Sequence, residues 1–130
     1  MPRSIVATVD APAAIGPYSQ GVLADGWLFT AGQIALDPRS GEMVGQTAAE
    51  QARRALENAR AVVVAAGLTL ADVVKVTVFL RDLGEFGAVN EVYRGFFAEA
   101  PPARSLVEVS RLPKDALVAV EMIARAPTAR

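Results

Sequence analysis

The stretch Leu117–Arg125, LVAVEMIAR, constrains the fold more than any other. Its alternation is that of a β-strand. Val118, Val120, Met122 and Ala124 line one face, as packing on a core requires. The opposite face carries Ala119, Glu121 and Ile123, too mixed for a second dry core and too apolar for plain solvent. Such a strand belongs in a sheet with one face under the chain's own helices. The other face calls for a symmetric oligomer that packs like faces together.

The remaining elements can be placed around it. A short strand is expected over Ser4–Thr8, then a loop, DAPAAIGPYSQ, interrupted by two prolines. Gly21–Ala24 and Trp27–Ala31 flank Asp25-Gly26, a hairpin signal, and LDPRSGE is a further turn. From Thr47 to Ala66 the residues Ala48, Ala52, Ala55, Leu56, Ala59, Val62, Val63 and Ala66 repeat with helical spacing, and Gly67 is a natural stop. Glu50–Arg54 and Arg53–Glu57 fall at i, i+4 and read as a solvated charged face. In VVKVTVFLR, Val73–Arg81, the residues Val74, Val76, Val78 and Leu80 form a dry face, with Lys75, Thr77 and Arg81 on the other. A second helix is expected from Glu85 to Glu99, halted by Pro101-Pro102, and a strand over Ser105–Ser110. The order β-β-β-α-β-α-β-β predicts an α+β fold, a sheet with two helices on one side. At 130 residues, one domain spanning 1–130 is expected.

Composition narrows the chemistry. Cysteine and histidine are both absent, which removes thiol nucleophiles, histidine acid–base catalysis and zinc sites built on those ligands. No metal or cofactor is expected. The net charge of −1 gives no broad positive field for a phosphate backbone, so nucleic acid is not an expected partner. No apolar run has the length of a membrane span or the form of a secretion signal, and a cytoplasmic protein is expected.

Arg104, in PPARSLVEV, leads the candidate residues. Guanidinium keeps its charge, so it needs a carboxylate, either inside the protein or on a ligand. Pro101-Pro102 stiffens the approach, and the backbone N–H of Leu106 lies close by. A fork beside a fixed N–H suits a small carboxylate. Glu121 is the one acid in the last strand, available for an arginine across a subunit contact or for orienting water. Tyr18 in IGPYSQG, Gly32 in TAGQ and Asn90 in AVNEVY are weaker candidates, each with an ordinary structural reading.

APAAIGPYSQG, FTAGQIALDPRSGEMVG, the segment from AAEQARRALENARAVVVAAGL to VNEVYRGFF, and PPARSLVEVSRLPKDALVAVEMIA occur in order over nearly the whole chain. Together they resemble the RidA (YjgF) family of enamine/imine deaminases. The resemblance implies a chorismate-mutase-like α+β subunit, a homotrimer around a central β-barrel, and ligand clefts between neighbours. It implies that Arg104 clamps the carboxylate of a 2-imino or 2-enamino acid, that the Leu106 N–H is a second contact, and that Tyr18, Gly32 and Asn90 border the pocket. Water would then release a 2-oxo acid and ammonia. Typical deaminating members read L-V-E-I-E in the last strand, the first glutamate positioning the water. This chain reads Leu117-Val118-Ala119-Val120-Glu121, with alanine at that place and only the second acid, Glu121, retained. Leu106 replaces a common cysteine and Ala31 a common serine. Loss of a water-orienting acid costs roughly a hundredfold in rate. Three readings therefore remain open at this point: a deaminase with reduced or shifted activity, a non-catalytic receptor for small 2-oxo or amino acids, and a ribonuclease or translation inhibitor.

Overall fold

A computed structural model describes residues 3–127. Six strands form one sheet: β1 (Ser4–Val6), β2 (Gly21–Ala24), β3 (Trp27–Thr30), β4 (Val73–Leu80), β5 (Ala103–Glu108) and β6 (Val118–Arg125). Their order is β1-β2-β3-β6-β4-β5. Every pairing is antiparallel except β4 with β5. Parallel neighbours need a crossover, supplied here by helix α2 (Phe86–Phe96). Helix α1 (Ala48–Ala65) connects β3 to β4.

Local chemistry fixes the ends of these elements. Asp25 and Gly26 both have positive φ, 52° and 80°, the geometry in which a two-residue turn follows the twist of its hairpin. Thr47 caps α1, and Glu50 completes the reciprocal box. Glu50 therefore does not pair with Arg54 as the i, i+4 spacing suggested. Its carboxylate accepts from the N–H groups of Gln46 and Thr47 at 2.8 and 3.2 Å. Arg54, rather than Arg53, reaches Glu57 at 3.4 Å. At the other end the N–H groups of Gly67 and Leu68 donate to the carbonyls of Val64 and Val63, closing the helix through a left-handed glycine.

The core lies between the helices and one sheet face. Val76, Val78 and Leu80 of β4 and Val118, Val120, Met122 and Ala124 of β6 are buried against Ala52, Ala55, Ala59 and Val62 of α1. A Cβ on Gly21 would come within 2.7 Å of Val62 Cγ1, so glycine is what lets α1 approach β2 so closely.

Two expectations about strands need correction. Val74 is not on the dry face: the register shifts between Val73 and Lys75, which buries Val73 and leaves Val74 43% exposed. The strand following the prolines begins at Ala103, so Arg104 lies inside it, and that strand is a sheet edge with no fully buried residue. The first strand stops at Val6, and α2 runs Phe86–Phe96, shorter at both ends than its apolar pattern suggested. The uncovered sheet face carries Trp27, Phe29, Thr77, Phe79, Glu121 and Ile123, with Phe29 registered opposite Ile123. Phe29 is 47% exposed there.

Candidate functional site

Arg104 projects from the helix-facing side of β5. It is registered with Val76, which is registered in turn with Met122, both core residues. The side chain crosses to α2, where Nη1 donates to Asn90 Oδ1 at 2.9 Å. Its Cζ lies 4.7 Å from the centre of the Tyr93 ring and 5.8 Å from that of Phe86. Phe86, Asn90 and Tyr93 occupy one helix face at i, i+4 and i+7. The ion pairs among the described residues are Arg54–Glu57, Arg94–Glu91 and Arg111–Asp115. Arg104 joins none of them, so its charge is hydrogen-bonded and stacked without being neutralised. A hollow of about 360 Å³ opens beside it, lined also by Asn90, Tyr93, Arg94, Pro101 and Pro102.

The backbone of β5 adds donors to this edge. Val109 N–H bonds to Leu80 O at 2.8 Å, and Leu80 is registered with Glu108. Bonding residues alternate along a parallel ladder, so the N–H groups of Ser105 and Val107 face β4. Those of Arg104, Leu106 and Glu108 point outward from the free edge.

Tyr18 and Gly32 lie elsewhere. Both line a second hollow, of about 560 Å³, with Gln33, Phe79, Lys114 and Ala119. Tyr18 is 53% exposed, and its hydroxyl accepts a long 3.4 Å bond from Ile15 N–H. A Cβ on Gly32 would meet nothing within 4 Å, so the space above that backbone is open. Ala119, registered with Phe79, lies on the floor of this hollow. Glu121 is half-buried on the same sheet face, opposite Thr77, and borders neither hollow. Within this chain, then, Arg104 is brought together with Asn90, and Tyr18 with Gly32. Arg104 and Glu121 leave the sheet from opposite faces.

Sequence reasoning passed over several residues that build these walls. Tyr93 was not among the candidates, yet it is the ring nearest to Arg104. Its position three residues after Asn90 was the available signal. Its hydroxyl is buried without a partner among the described residues, and burial pushes its pKa up, opposed by the charge of Arg104. Asn58 sits inside the alanine stripe of α1 and is fully buried. Its Nδ2 donates to the carbonyls of Ile34 and Leu36 at 3.0 and 2.9 Å, tying the segment after Gly32 to the helix. Gln20 does the same for the loop before Tyr18, donating to the carbonyls of Thr8, Ala11 and Pro12. For Asn58, a polar residue inside an apolar stripe was the clue.

No helix is long and apolar enough to cross a membrane, and no group of three or more potential metal ligands gathers among the described residues.

Comparison with known proteins adds a second line of evidence. Residues 8–126 match the model of the endoribonuclease L-PSP family. The 2-iminobutanoate/2-iminopropanoate deaminase of Escherichia coli K12 is 52% identical over 122 residues, covering 92% of this chain and 94% of that protein. Among solved structures, the YjgF gene product of E. coli superimposes with a TM-score of 0.92 at 48% identity, over 95% of this chain and 99% of the other. E. coli TdcF with bound serine superimposes with a TM-score of 0.91 at 47% identity, over 95% and 99%.

Proposed function

The chain belongs to the RidA/YjgF group of the endoribonuclease L-PSP family, and from that membership we propose that it hydrolyses small 2-imino and 2-enamino acids to 2-oxo acids and ammonia. The observation that carries this reading is Arg104: a half-buried guanidinium, held by Asn90 and Tyr93, without a carboxylate partner among the described residues, on an edge where the Leu106 N–H points outward. The substrate carboxylate takes the free guanidinium N–H groups and the Leu106 N–H. Water then adds to C2 of the imine. The carbinolamine formed breaks its C–N bond, and nitrogen leaves as ammonia while C2 becomes a carbonyl. The name carried by the E. coli relative and the serine held by TdcF, itself a small carboxylate, both support this chemistry.

The cleft takes residues from two protomers. Arg104, Leu106 and Asn90 of one subunit supply the anion end, and the hollow containing Tyr18, Gly32 and Ala119 in its neighbour supplies the other. The separation of the two hollows in a single protomer supports this reading. So does the apolar open face, which is buried in a homotrimer around a central barrel. The neighbouring hollow is walled by Ile15, Ile34, Leu36, Phe79 and Leu112, and Ala119 leaves it wider, which suits larger apolar substituents than ethyl.

One observation favours a second reading, a non-catalytic receptor for 2-oxo or amino acids. Among the described residues, the hollow holding Ala119 is lined by no carboxylate to orient water, and Glu121 lies outside it. Ribonuclease action is the weakest reading for a histidine-free chain of net charge −1. The deciding experiment generates 2-iminobutanoate in situ with an amino-acid oxidase and traps it with semicarbazide. The deaminase reading predicts less trapped product when the protein is present. Undiminished trapping, with 2-oxobutanoate still bound, leaves the receptor.

A further inference from the structure

We propose that Tyr93 is a positioning residue for the anion site, and that its ring face rather than its hydroxyl sets the Arg104 guanidinium. The inference rests on the reading of Arg104 as carboxylate anchor.

Two contacts fix this guanidinium, and they constrain different degrees of freedom. The Asn90 amide oxygen holds one N–H edge at 2.9 Å. The Tyr93 ring supports the group with Cζ 4.7 Å from the ring centre, much closer than Phe86 at 5.8 Å. An aromatic face attracts a cation through its quadrupole and does not consume hydrogen-bond donors. The amide oxygen takes a single donor. Neither contact cancels the charge as a carboxylate would, so the arginine is ordered while most of its N–H groups stay available. Ordering a long side chain before the ligand arrives removes a cost that binding would otherwise bear.

Tyr93 is itself immobilised. It is 6% exposed, and the Phe97 ring backs it with centroids 5.0 Å apart at 38°. Its hydroxyl has no partner among the described residues. A buried unpaired hydroxyl is unfavourable, so whatever Tyr93 contributes to the arginine comes from its ring.

The test places phenylalanine, then its mono-, tri- and pentafluoro analogues, at position 93 of the full chain. Fluorination drains the negative ring face while leaving the ring's shape nearly unchanged. Calorimetry measures 2-oxobutanoate affinity for each protein, with melting temperature recorded alongside. Stepwise weakening along the series, reaching roughly threefold to thirtyfold at the pentafluoro end, is expected from the strength of such contacts. A purely structural role would leave Kd flat across the series. A flat series, with wild type binding and Arg104→Ala not binding, overturns the positioning role and leaves the anchor intact. Affinity lost at the step from tyrosine to phenylalanine, with none lost on fluorination, overturns it in favour of the hydroxyl. If wild type binds no 2-oxobutanoate, the anchor reading fails and this inference fails with it.

Discussion

Arg104 and Asn90 are joined by a 2.9 Å hydrogen bond from Nη1 to Oδ1, and this bond stands where an arginine at a strand edge would ordinarily have an ion pair. The amide occupies one donor and leaves the charge unneutralised. Asn90→Ala is therefore expected to weaken 2-oxobutanoate binding by about fivefold to tenfold, in keeping with a net worth of about 1 kcal/mol for one hydrogen bond that orders the anchor without touching the ligand. Arg104→Lys costs more, about tenfold or greater, because an ammonium cannot present a planar fork to both carboxylate oxygens. Isothermal calorimetry on the three proteins measures both effects.

The division of the candidate residues between two hollows leads to a complementation experiment. Arg104→Ala removes the anion end, and Gly32→Phe fills the other. The backbone at Gly32 faces open space, so this change leaves the fold intact. Each variant alone is expected to be inactive. The proposed trimers, refolded from a mixture of the two variants, are expected to regain activity, because some clefts combine an intact Arg104 edge with an intact Gly32 wall. Recovery no greater than the sum of the two variants would place the whole site within one protomer.

Ala119 stands on the floor of the wider hollow, registered with Phe79. Placing a carboxylate there, Ala119→Glu, is expected to raise the rate of imine hydrolysis by about a hundredfold, the lower end of the range for a positioned acid or base. Binding of 2-oxobutanoate changes much less, since the anchor is untouched. Steady-state kinetics separate these outcomes as a rise in kcat at nearly constant KM.

Acid stability follows from two carboxylates, one in the first turn of α1 and one in the turn after β3. Glu50 is held below its ordinary 4.5 by the N–H groups of Gln46 and Thr47, and Asp37 below 3.8 by those of Ser40 and Arg39. A carboxylate with a depressed folded-state pKa stabilises the fold above its unfolded pKa. That contribution is lost as the pH falls through the folded value. Both contributions are present at neutral pH. Loss begins near pH 4.5 for Glu50 and near 3.8 for Asp37 and continues below. Glu50→Gln keeps a hydrogen-bonding side chain in the cap but cannot titrate. Its urea midpoint is expected to fall less steeply between pH 5 and 3 than that of wild type.

Much of this architecture was legible in the sequence because period and punctuation are local signals. Asp25-Gly26, the alanine stripe ending at Gly67 and the two faces of β6 each declared themselves within a few residues. Most of what escaped depends on partners distant in sequence. The bulge that turns Val74 outward arises from the pairing of β4 with β6. The edge position of β5 follows from the sheet order, and Arg104, expected just ahead of that strand, lies within it. Glu50 was available to both Arg54 and the helix cap, and two backbone N–H groups outcompeted a solvated guanidinium. Of the site, Arg104 and Asn90 could be named from sequence. Their contact with each other and with Tyr93 needed the crossover that folds α2 against β5.

The claim that Arg104 anchors the substrate carboxylate is tested most directly by the hydrolysis rate of 2-iminobutanoate with wild type and with Arg104→Ala at equal folded concentration. Acceleration by wild type that falls to the uncatalysed rate in the variant is the predicted result. Equal acceleration by the two proteins would contradict it.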